Sequence, residues 1–182
     1  MRTSKAINLG IHPRTLYAMR DAGDIERLSR GFHRLTEMPP LSNPDLTTVA
    51  LRVPKGVICL ISALAFHELT TQIPHYIYIA LLRGTEAPRM DYPPLRLFWF
   101  SPKPFVEGVE THLVDSAPVR VYNAEKTLAD CFKFRNKIGL DVALEALRLY
   151  FERKPVRITE LMHFAAVSRV RKVMRPYVEA LL

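Results

Sequence analysis

The sequence predicts an α+β protein: a partial winged helix-turn-helix, then a mixed domain in which a small β-sheet is flanked by helices and the carboxyl terminus is helical. Three observations carry this expectation. Two short helical segments separated at Gly10 lead directly into a strand–turn–strand run from Ile25 to Leu35. Segments between Tyr76 and Tyr122 combine aromatic and β-branched residues in strand-like alternation. Beyond Asn123 the apolar residues recur with a helical period, most clearly from Leu140 to Glu152.

Thr3 or Ser4 is placed to cap a first helix through Leu9, and Gly10 ends it by permitting a left-handed turn. Pro13 suits the first turn of a second helix, where its missing N–H costs nothing. From Pro13 to Ala22, Leu16 and Met19 form an apolar stripe, which leaves Arg14, Thr15 and Tyr17 exposed in the opening turns. A helix entering a major groove contacts bases and phosphates from that end, so these three residues are the candidate recognition-helix contacts. Gly23 ends the helix, Ile25 and Leu28 are expected to point inward, and Arg30-Gly31 forms the turn of a wing. Arg27, Arg30 and Arg34 would then approach phosphates. Only two residues precede Thr3, where a winged helix ordinarily carries a further helix across the pair, so the module reads as shortened.

The expected organisation is a module over residues 1–37, a proline-rich linker over 38–44 and a larger α/β domain over 45–182. Within that domain, a helix capped near Asn43 runs from Asp45 to Val53, and a turn at Pro54-Lys55-Gly56 leads to Val57-Ile58-Cys59 and a buried helix containing Leu60 and Leu64. Strands are expected at Tyr76–Leu81, Leu95–Phe100, Val109–Leu113 and Val119–Tyr122, a sheet of about four. Asn123 caps a helix to about Arg135 with Leu128, Cys131 and Phe132 inward. Thr159 is the expected cap of a later helix. A last helix begins at Val167 or Ser168 and should bend or end at Pro176.

Lys126, Lys133, Arg135 and Lys137, with Arg169, Arg171, Lys172 and Arg175, are read as a second basic surface for DNA or an acidic protein. The whole chain carries 26 Lys plus Arg against 18 Asp plus Glu, a formal charge of +8, which favours an anionic partner. A hydrophobic content of 48% excludes overall disorder. The apolar run Val57–Ile61 is too short to span a bilayer, and no signal-type stretch leads the chain. Cys59 and Cys131 lie in apolar surroundings and read as buried free thiols, in keeping with a reducing cytoplasm.

Catalytic patterns are missing. No HExxH, GxxxxGK or GxSxG sequence occurs, and the six histidines show no metal-ligand spacing. Glu125 and Asp130 could hold magnesium only if both faced one cavity. Neither catalysis, metal nor cofactor is therefore expected.

The segments Arg30–Leu35, Val53–Leu64, Leu69–Pro74 and Val119–Cys131 together resemble the AbiEi-type antitoxins and related transcriptional regulators. The resemblance implies a bacterial, cytoplasmic protein that binds double-stranded DNA at promoter repeats, represses its own operon and counters a toxin of the nucleotidyltransferase class. It carries Arg14, Thr15 and Tyr17 onto the recognition helix and Arg27, Arg30 and Arg34 onto the wing. A homo-oligomer on repeated half-sites would fit such a role, and no membrane is involved. The competing expectation is a protein-interaction module that neutralises its partner without autonomous DNA binding.

Overall fold

A computed structural model describes residues 3–29, 31–115, 117–153 and 155–182, without the side chains of residues 28 and 29. It is an α+β protein with ten helices and seven strands among those residues. The first unit comprises α1 (Thr3–Asn8), α2 (Pro13–Asp21), β1 (Ile25–Ser29) and β2 (Phe32–Leu35). Gly10 takes the left-handed conformation (φ +89°), and the following Ile11 N–H donates back to the Ala6 carbonyl, closing the turn between the helices. β1 and β2 pair antiparallel, with Glu26 opposite Arg34 and Arg27 opposite His33. Ala6, Leu16 and Ile25 form the buried core of this unit, with Ile11 and Met19 packed against it. The arrangement is that of a partial winged helix-turn-helix.

The chain continues through α3 (Pro44–Arg52), β3 (Val57–Ile58), α4 (Leu60–Phe66), β4 (Ile77–Leu82), β5 (Leu95–Phe100), α5 (Pro102–Val106), β6 (Val109–Val114) and β7 (Ala117–Tyr122). Asn43 caps α3 by accepting from the Leu46 N–H at 3.1 Å. The five strands form one mixed sheet in the order β5-β4-β3-β7-β6, one more than the sequence predicts because the short β3 joins its centre. β3 pairs antiparallel with β4 and parallel with β7, while β4 and β5 are parallel and β6 and β7 antiparallel.

Strand alternation splits the side chains between two layers. Ile58, Ile79 and Val121 pack under α3 with Leu46 and Val49. Val57, Tyr78, Phe98 and Tyr122 face the larger core built by the carboxyl-terminal helices. Those helices are α6 (Ala124–Lys133), α7 (Arg135–Ile138), α8 (Leu140–Glu152), α9 (Ile158–Val167) and α10 (Arg171–Glu179).

Four local expectations need correction. The helix after Asn123 ends at Lys133 and is followed by the separate short α7, and α5 arises where only a strand end was expected. Thr159 lies inside α9, whose N-cap is Arg157 with no side-chain cap bond. α10 starts at Arg171, because Arg169 turns the chain with a positive φ of 61°, and it runs through Pro176 to Glu179. Leu28, expected to point inward, has a side chain outside the description.

The end of the linker is fixed to the body by Asp115. Asp115, on the β6–β7 connection, accepts from Ser42 N and Oγ (both 2.9 Å), Asn43 N (3.2 Å) and the Thr47 hydroxyl (3.1 Å). These donors hold its carboxyl below the usual range, the Ser42 backbone bond being the largest contribution.

Candidate nucleic-acid interface

α2 presents its opening turns outward because Leu16, 3% exposed, is the side chain it buries. His12 supplies the cap, its Nδ1 accepting from the Arg14 N–H at 3.2 Å, and Pro13 occupies the first turn. Arg14, Thr15 and Tyr17 are all exposed on this helix, Tyr17 by 55%. The Arg20 guanidinium stands 5.3 Å from the Tyr17 ring centroid and pairs with Asp21 at 2.7 Å.

On the wing, Arg27 is exposed on β1. Arg34 differs from it: its side chain is 11% exposed, its Nε lies 2.5 Å from Glu26 Oε1, and its Nη2 donates to the Met38 carbonyl at 2.8 Å. The guanidinium therefore ties the two strands to the start of the linker. Arg30 falls outside the described residues. Burial first, then the Arg27 charge, holds His33 below the ordinary imidazole value, so the wing carries a neutral ring at pH 7.

The second basic surface is only partly assembled. Lys126 does not belong to it: the residue is fully buried, its ammonium paired with Asp130 and standing over the Tyr122 ring at 4.5 Å and the Phe100 ring at 5.0 Å. A lysine four residues before an aspartate reads as a solvated helix pair, but here aromatic side chains from β5 and β7 close over it. Lys133 is half-buried over Phe100 and Phe134, at 5.4 and 5.6 Å, and burial is the main cause of its lowered pKa. Lys137 is exposed and lies over Phe98 at 5.7 Å. Arg135 is half-buried and donates to the Phe132 carbonyl at 2.9 Å. Arg169, Arg171 and Lys172 are exposed, and Arg175 is ion-paired with Glu179 at 2.6 Å. Arg96, which the sequence reading passed over, adds a cation 4.9 Å from the Tyr76 ring. Strand alternation gave no signal for it, because residue 96 shares the face of β5 that carries the buried Phe98 and Phe100.

Glu125 and Asp130 do not share a cavity. Glu125 accepts from the Tyr150 hydroxyl (2.6 Å) and from Arg157 Nε and Nη2 (2.9 and 3.0 Å). Asp130 is bonded to Lys126 and accepts from the Ser168 hydroxyl at 2.7 Å. Both carboxylates are thus consumed by separate partners. Among the described residues no group of His, Cys, Asp and Glu could hold a metal ion, and no helix is long and apolar enough to cross a membrane.

A helix pair with an exposed second helix and a two-stranded wing, joined to an α+β body, defines the class of architecture. Residues 2–36 of the chain match the family model described as transcriptional regulator, AbiEi antitoxin. The match covers roughly a fifth of the sequence and coincides with the helix–turn–helix–wing unit. No curated protein matches the chain.

Proposed function

We propose that this chain is a DNA-binding transcriptional regulator of the antitoxin type, organised as a module over residues 1–37, a linker over 38–44 and an antitoxin-like domain over 45–182. The observation that carries the reading is the coincidence of the regulator-family match, residues 2–36, with a structural unit that exposes Arg14, Thr15 and Tyr17 on its second helix. Arg27 reaches phosphate from the wing, Arg30 is a further phosphate contact in this reading, and Arg34 takes part by bracing the two strands. Lys133, Lys137, Arg169, Arg171 and Lys172 supply additional backbone contacts. In this reading the protein is cytoplasmic, binds repeated promoter sites as a homo-oligomer, represses its own operon and counters a nucleotidyltransferase-class toxin.

The test is electrophoretic mobility with the chain's own upstream DNA against a scrambled duplex at about 0.15 M salt. A specific shift, lost in an Arg14→Ala, Arg27→Ala double variant that remains folded, is the expected result. Equal binding to both duplexes would reduce the attraction to phosphate charge alone.

One observation favours a second reading. Among the described residues the buried apolar side chains of the helix–wing unit are Ala6, Leu16, Ile25 and Phe32, few for a unit that must hold a helix in a groove. A folded protein that shifts neither duplex would instead be a protein-interaction module that neutralises its partner.

A further inference from the structure

Between the helix–wing unit and the body lies a cavity of about 650 Å³. It is a half-open cleft rather than an interior void, and its walls are largely apolar. It falls within the roughly 300–1,000 Å³ range of small-molecule sites, which favour the junctions between domains. Met19 and Leu35 line it from the helix–wing side, and Pro40, Leu51 and Pro118 line it from the linker and body. Leu35 is 51% exposed, an apolar side chain left without a full complement of neighbours.

The polar groups on the wall are not equivalent. Asp115 is occupied, accepting four hydrogen bonds from Ser42, Asn43 and Thr47. Arg34 is not fully used: of its five N–H donors, Nη2 serves the Met38 carbonyl with one, and Nε has Glu26 close by without the alignment of a hydrogen bond. A guanidinium with spare donors at the edge of an apolar chamber suits a carboxylate on an apolar tail.

We propose that this cavity is a binding site for a small amphipathic carboxylate, its apolar part between Met19 and Leu51 and its head on Arg34. The bound molecule would touch both the wing and the linker and so fix the helix–wing unit against the body.

The test uses the full chain and no DNA, so it stands or falls apart from the regulator reading. The probe is 8-anilinonaphthalene-1-sulfonate, followed by fluorescence, with decanoate, octanoate and decanol as competitors. Saturable one-to-one dye binding is expected. Decanoate should displace the dye at roughly tenfold lower concentration than octanoate, from its two additional methylenes, and at roughly tenfold lower concentration than decanol, from the charged head. Leu51→Trp and Met19→Trp fill the chamber from opposite walls, and each should weaken the dye at least tenfold with the circular dichroism spectrum retained. Arg34→Met should abolish the advantage of decanoate over decanol, and it decides the matter if both tryptophan variants fail to fold. Unsaturable binding, unaltered binding in the folded tryptophan variants, or equal competition by decanoate and decanol would overturn the proposal. So would loss of dye binding in Leu113→Ala, which alters an exposed leucine outside the cavity wall.

Discussion

The Lys126 ammonium and the Asp130 carboxylate, one turn apart on α6, are both fully buried and bonded to each other. Ser168 donates to the second Asp130 oxygen, so the pair also joins α6 to the end of α9. Breaking such a pair leaves a desolvated charge with no counter-ion, whereas replacing both partners by apolar groups removes that penalty. Asp130→Asn should therefore cost about 3–5 kcal/mol of unfolding free energy. A Lys126→Met, Asp130→Leu double variant should recover most of the loss. Urea unfolding of the three proteins measures this, and equal midpoints for wild type and Asp130→Asn would show that the pair contributes nothing.

Gly108 lies against the same lysine. Its φ is +75°, and a β-carbon built there would stand 2.7 Å from Lys126 Cβ, on the rigid part of a buried side chain. Gly108→Ala combines backbone strain with overpacking and should destabilise by at least about 2 kcal/mol. Gly84 has a comparable φ of +90° but open space around it, so Gly84→Ala should cost only about 1 kcal/mol. Thermal melts of the two variants separate strain from crowding, and equal losses would refute the packing argument.

Asp115 links acidity to the linker. Its carboxyl lies below the ordinary value of 3.8 because Ser42, Asn43 and Thr47 donate to the ionised form. A lowered folded value means that the contribution is complete above pH 3.8 and is lost as pH falls through the folded value. Asp115→Asn should flatten the acid limb of the stability curve and speed hydrogen exchange at the Ser42 and Asn43 amides. An unchanged acid limb together with unchanged exchange would exclude the clamp.

For DNA, the exposed position of Arg27 makes it the clearest test of phosphate contact on the wing. Arg27→Ala should reduce the slope of log affinity against log salt by about 0.9 while weakening all duplexes alike. Tyr17→Ala should instead weaken the preferred duplex more than the scrambled one. Filter-binding titrations over a range of salt concentrations distinguish the two, and an unaltered slope would remove Arg27 from the contact set.

Legibility in the sequence followed the range of the interactions concerned. α8 is found over Leu140–Glu152 as its apolar period predicts, and β5 over Leu95–Phe100, because both signals lie within one element. The turn at Gly10 and the cap at Asn123 were readable for the same reason: a single residue supplies the needed conformation or acceptor. The burial of Lys126 was hidden, since its surroundings come from Phe100 and Tyr122 on two different strands. β3 escaped the strand count because two residues are too few to show a period, and only its neighbours β4 and β7 make it a strand. The cavity walls are likewise drawn from separated segments, and Arg34, legible as a basic wing residue, gave no sign that Glu26 and Met38 would hold it.

Cys59 and Cys131 are both fully buried, and burial followed by the Asp130 charge pushes their thiols well above the ordinary value. Since the thiolate is the reactive form, neither should compete for a maleimide under native conditions. A cysteine introduced at the exposed Glu37, just before the linker, as Glu37→Cys, would then be the one position to take a fluorophore. The natural chain thus comes prepared for single-site labelling beside its wing, where a dye would report movement of the helix–wing unit without prior removal of either native cysteine.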